Sequence, residues 1–71
     1  MDSIEKAKIR ITSWMHHNEH HQEEYELFAD QLEKDGQAAS AHHISEMAAL
    51  AAKTNECLKK ALLALEKRKK A

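Results

Sequence analysis

The stretch Lys34-Asp35-Gly36-Gln37 holds the only glycine of a chain that has no proline, and it lies almost at the midpoint. Around it the chain is dominated by Ala, Glu, Lys, Leu and Gln, all good helix formers. One glycine in such surroundings reads as a helix stop, because glycine takes the left-handed backbone conformation without a steric penalty. The sequence therefore predicts a single domain over residues 1–71: a helix over about 3–34, a turn at about 35–37 and a second helix over about 38–69. The expected fold is all-α, an antiparallel two-helix hairpin.

Upstream of the turn, Ile4, Ala7, Ile11, Trp14, Asn18, His21, Tyr25, Phe28 and Leu32 are spaced alternately by three and four. That is the seam of a helix packed along its length on another helix. Asp2 followed by Glu5 fits a capping pair at the start. Downstream, His43, Met47, Leu50, Thr54, Cys57 and Ala61 resume the pattern, and Ile44, Ala51, Leu58, Leu62 and Leu65 widen the apolar face. The terminal Lys67-Arg68-Lys69-Lys70 complements the negative end of a helix dipole. Folding at Gly36 brings position n near 72 minus n, so Trp14 is expected against Leu58, Ile11 against Ala61, Tyr25 against Met47 and Phe28 against Ile44.

Size and charge narrow the function classes. A core of 71 residues rarely supplies more than ~3–5 kcal/mol, and small proteins add a disulfide, a metal or a partner subunit. Cys57 is alone, so an internal disulfide is excluded and metal or oligomer remains. A hairpin also leaves half of a wide apolar face bare. The expectation is a homodimer forming a four-helix bundle, the competing one a hairpin docked on a partner protein. With 11 basic and 12 acidic residues, the chain lacks the basic face of a nucleic-acid module. No apolar run reaches a membrane span, and the first residues, MDSIEKAKIR, lack the apolar segment of a signal peptide. A cytoplasmic protein with reduced Cys57 is expected.

Four of the six histidines fall in Trp14-Met15-His16-His17-Asn18-Glu19-His20-His21-Gln22-Glu23-Glu24-Tyr25. His17 and His21 share a helical face, as do His16 and His20, and Glu24 follows His21 by three and His20 by four. An i, i+4 histidine pair is how one helix offers two imidazoles to a metal. His21 lies on the seam and His17 flanks it, so these two lead the candidate site, with Glu24 next; His16 and His20 point mainly outward. Opposite them the register sets Ala48, Ala49, Leu50, Ala51, Ala52, Lys53, Thr54 and Asn55, which leave room but offer no ligands. If two first helices cross antiparallel near position 19, His17 of one copy approaches His21 of the other. The plain alternative is a polar patch, with His21 hydrogen-bonded to Asn18, Thr54 or water. His42, His43 and Glu46 form a second cluster near the turn, facing Asp30, and read as polar surface.

Nitrogen and carboxylate donors suit nickel, cobalt, zinc or copper(II), with nickel or zinc ranked first. A di-iron enzyme needs Glu-x-x-His motifs, which the chain lacks, and Ser13, Ser40, Ser45 and Cys57 have no local base. A non-catalytic role is expected. It is either binding of a transition metal through helix 1, for handling or delivery, or a homodimeric interaction module without metal. Buried, clustered imidazoles also predict that acid loosens the helix pair around them.

The residues Trp14-Met15, His17-Asn18, His21 and Glu24 carry a resemblance. The segment resembles W-[MLI]-x-H-N-x-x-H-x-x-E of a family of small prokaryotic helical-hairpin domains of unknown function, with His20 the neighbouring candidate for the second histidine. Those domains have a glycine turn and an alanine-rich second helix. They look similar to ones that sometimes follow a nickel-binding accessory domain of the carbon monoxide dehydrogenase maturation type. The resemblance spans nearly the whole chain, is specific only in this segment, and implies nickel-related binding. The 71 residues carry no such companion domain.

Overall fold

The computed structural model describes residues 2–68, and nothing is described of the Arg68 side chain. Two helices account for the fold: α1, Ser3–Lys34, and α2, Ala38–Arg68. They pack side by side as an antiparallel hairpin, and no strand occurs among the described residues. Lys69 and Lys70 of the basic tail, and the last residue expected in helix 2, lie outside the described residues.

Both ends of α1 are fixed by local chemistry. Asp2 is extended and its Oδ1 accepts from the Glu5 amide at 2.8 Å, which satisfies one of the free donors of the first turn. At the other end Gly36 has φ +78°. The Gln37 amide donates to the Leu32 carbonyl at 2.8 Å and the Gly36 amide to that of Glu33 at 3.1 Å, the bond pair of a Schellman stop. The Gln37 carbonyl then accepts from Ala41 and starts α2.

The interhelical seam keeps the expected α1 line except at Trp14 and Phe28, and on α2 it follows the widening residues Ile44, Ala51, Leu58, Leu62 and Leu65 rather than the line through Met47. Ala29, Ala41 and Ala48 are its buried residues, each about 5% exposed or less. The partly buried residues are Ile4, Ala7, Lys8, Ile11, Met15, Asn18, His21, Gln22, Tyr25 and Leu32 on α1, and Ile44, Ala51, Ala52, Asn55, Leu58, Leu62 and Leu65 on α2. Trp14 is 55% exposed and Phe28 53% exposed, and Met47 and Leu50 are exposed as well. The pairs expected for Trp14, Phe28 and Met47 are therefore not closed core pairs. The cause is packing distance: alanine at the seam lets the helix axes approach closely, and a bulky ring there would hold them apart.

The result is a layer one helix thick. The Cα positions extend 55 × 18 × 10 Å, and the radius of gyration is 16.3 Å, against about 11 Å for a compact chain of this length. The two broad faces differ. One holds grooves shared by Glu26, Asp30 and Glu33 of α1 with Ala38, His42, Ser45 and Ala49 of α2. On this flank Glu5, Glu19, Glu26 and Glu33 recur at multiples of seven. The opposite flank carries Ala7, Trp14, His21 and Phe28 of α1, again at steps of seven, with Met47, Thr54 and Ala61 of α2. No helix among the described residues is long and apolar enough to cross a membrane.

Candidate metal centre

The apolar flank has a polar centre, built on two turns of α1. Four residues advance a helix by a little more than one turn, so His17 and His21 stack one above the other. Their rings meet edge to face, with centroids 4.5 Å apart and planes at 84°. The Nε2 atoms lie 3.0 Å apart. On the far side of the His21 ring, Nδ1 lies 2.9 Å from Oε1 of Glu24. A carboxylate only accepts, so the neutral form of His21 carries its proton on Nδ1 and leaves a lone pair on Nε2. His17 then donates its Nε2 proton to that lone pair. Tyr25 lies nearly parallel to His21, at 10° and 6.0 Å between ring centres, and flanks it on the next turn.

This geometry is close to that of a bidentate chelate. Two nitrogens bound to one ion at ~2.0–2.1 Å, with an angle of about 90–110° between them, stand about 2.8–3.4 Å apart. The pair already has that spacing. To chelate, His17 must move the proton from Nε2 to Nδ1, as neutral imidazole can, and both rings must turn so that the two lone pairs meet at one ion rather than point at each other. Glu24, expected as the third ligand, is brought to the other nitrogen of His21. There it orients the ring, as carboxylates do behind metal-bound histidines.

The remaining candidates are not drawn in. His16 is exposed and lies 3.6 Å from Glu19 on the outward side. The His20 ring is 6.4 Å from that of His21 and tilted by 50° to it, with no hydrogen bond between them. Near the turn, Glu46 Oε1 lies 3.0 Å from His43 Nδ1 and 3.7 Å from His42 Nε2, all in exposed side chains. Cys57 is free and exposed. Among the described residues no three histidine, cysteine or carboxylate groups converge on one point, so a single hairpin offers two imidazoles.

Asn55, which the register sets opposite the histidines, has a structural place of its own. Asn55 on the seam donates from Nδ2 to the Met15 carbonyl at 3.1 Å, while its Oδ1 is buried without a partner. An asparagine among seam positions at alternating three and four is the sequence signal for such a residue.

No curated protein and no solved structure matches the chain. A family model described as a domain of unknown function, DUF8180, matches residues 7–65, from the first turns of α1 almost to the end of α2. The chain belongs to this family of uncharacterised domains, and the match spans the histidine pair, the glycine turn and the alanine seam alike.

Proposed function

We propose that the protein is a non-catalytic helical hairpin that binds a transition metal ion of the nickel or zinc class through His17 and His21, with a role in holding or passing on the ion. The observation that carries this reading is the 3.0 Å spacing of the two Nε2 atoms, with Glu24 on the far nitrogen of His21. Imidazole donors without a thiolate favour nickel, zinc, cobalt or copper(II) over softer ions. The likeness of Trp14-Met15-x-His17-Asn18-x-x-His21-x-x-Glu24 to domains that accompany nickel-binding accessory proteins supports placing nickel beside zinc at the head. The working form is a homodimer, two hairpins closing into a four-helix bundle.

The test is titration of the purified protein with nickel, zinc, cobalt and copper, followed by native mass for stoichiometry. His17→Ala/His21→Ala is expected to abolish tight binding, and His16→Ala/His20→Ala to leave it intact. Tight binding that survives the first double substitution overturns the assignment.

A second reading, a homodimeric interaction module without metal, is favoured by a different observation. Trp14, Phe28, Met47 and Leu50 are exposed on a chain with only three aromatic residues. Under that reading the His17–His21 bond is a polar contact within an interface, and the titration shows only weak, histidine-number-dependent binding.

A further inference from the structure

We infer that the broad face carrying Trp14, His21, Phe28 and Met47 is covered by a second copy of this chain, laid with α1 across α1, and that the acidic face stays in solvent. The metal part of this inference rests on the reading above; the choice of face does not.

Area makes the first case. The chain exposes 5670 Å², whereas a folded monomer of 8.1 kDa exposes about 4,500 Å². Two copies together thus expose about 2,400 Å² beyond the ordinary amount, more than the ~1,600 Å² that a standard interface buries. A layer 10 Å thick can lose that area only by gaining a second layer.

Charge selects the face. Glu5, Glu19, Glu23, Glu26, Asp30 and Glu33 all lie toward one side of α1, and a copy placed there would meet its own carboxylates. Like charges brought together and desolvated repel, so that face disfavours laying α1 across α1. The opposite face has Lys6, Arg10 and Glu24 as its charged groups on α1, of both signs, and is otherwise apolar or neutral. Its rings are large, exposed and aligned at steps of seven, the spacing by which one helix follows another.

Helix length selects the crossing. Overlap of two α1 helices is greatest when they cross at their midpoints, and the midpoint of Ser3–Lys34 falls between Asn18 and Glu19. The His17–His21 pair is centred on Glu19. Antiparallel helices packed at about 20° are closest where they cross. Maximal burial of Trp14 and Phe28 thus sets His17 against the partner's His21 on the twofold axis. Two bidentate pairs then supply four imidazoles to one ion, which completes a set that a single hairpin leaves at two.

The experiment is the mass in solution at micromolar concentration, first in chelator and then with nickel or zinc added. In chelator the protein is expected at twice 8.1 kDa. Trp14→Glu and Met47→Glu are each expected to halve that mass with helicity retained. Ala49→Lys, on the acidic face, is expected to leave it unchanged. Two separate substitutions keep the readout available should one of them unfold the hairpin. A wild-type protein of single mass, or dissociation by Ala49→Lys and not by Trp14→Glu, overturns the interface. Added metal is expected to bind at one ion per two chains. A dimer that binds no ion upholds the interface and sinks the metal reading. One ion per chain upholds the interface and sinks the shared site.

Discussion

Nδ2 of Asn55 donates to the carbonyl oxygen of Met15 at 3.1 Å, the one side-chain hydrogen bond that ties α1 to α2 among the described residues. Its partner atom Oδ1 is buried and unpaired. The bond fixes register, since 15 and 55 add to 70, near the 72 that Gly36 alone implies. The idle oxygen opposes it with a desolvation penalty of about 1–3 kcal/mol. Asn55→Leu is expected to raise stability by about 1 kcal/mol while loosening the register. Urea unfolding checks the first effect, and a disulfide-trapping scan of slipped pairings checks the second. A loss of stability would mean that the Met15 bond outweighs the orphaned oxygen.

Glu24 is expected to act on the metal site at one remove. Glu24→Gln keeps the length and a hydrogen-bond acceptor but removes the charge behind His21. Metal affinity should fall about 10–100-fold with stoichiometry unchanged. A change in the number of ions bound, measured by calorimetry, would show Glu24 to be a ligand itself.

Protons compete with the ion for both Nε2 atoms. Binding needs neutral imidazoles, and each one protonated must lose its proton first. Affinity is therefore expected to fall as the solution is made more acidic. A slope approaching two protons per chelating pair distinguishes this from a carboxylate site, whose affinity persists to lower pH.

The turn and the seam give two stability tests. A Cβ on Gly36 meets nothing within 4 Å, so its φ of +78° is the whole penalty. Gly36→Ala should cost about 1–2 kcal/mol by forcing an L-residue into the left-handed region. Ala48 is buried between the helices, and Ala48→Leu should cost about 1–3 kcal/mol by prising them apart. Thermal unfolding of each variant against wild type is the check.

The parts of the fold legible in the sequence are those set by short-range chemistry. Asp2, Glu5 and Gly36 each act within a few residues, and the cap and the turn stand as read. The seam was harder because the apolar arc of each helix spans more than one stripe. The spacing by three and four sets Trp14 and Phe28 on the α1 seam and Met47 on that of α2, yet all three are exposed. The hairpin instead closes on Ala29, Ala41 and Ala48, since smallness governs how near two helices come. Periodicity reports an arc, and burial within the arc depends on side-chain volume across the gap. For the site, the i, i+4 pairing of His17 and His21 was readable from spacing alone. The place of Glu24 behind His21 was not, because a residue three further on can reach either ring nitrogen.

The Gly36 stop also bears on how the chain folds. Because every cross-helix pair straddles one turn, the loop to be closed is shortest beside Ala29 and Ala41 and longest where Ile4 lies near Leu65. Closure entropy grows with that length, so docking is expected to nucleate at the turn and zip toward the termini. Substitutions at Ala41 should then slow folding, those at Leu65 should mainly hasten unfolding, and amide exchange should grow faster with distance from the turn.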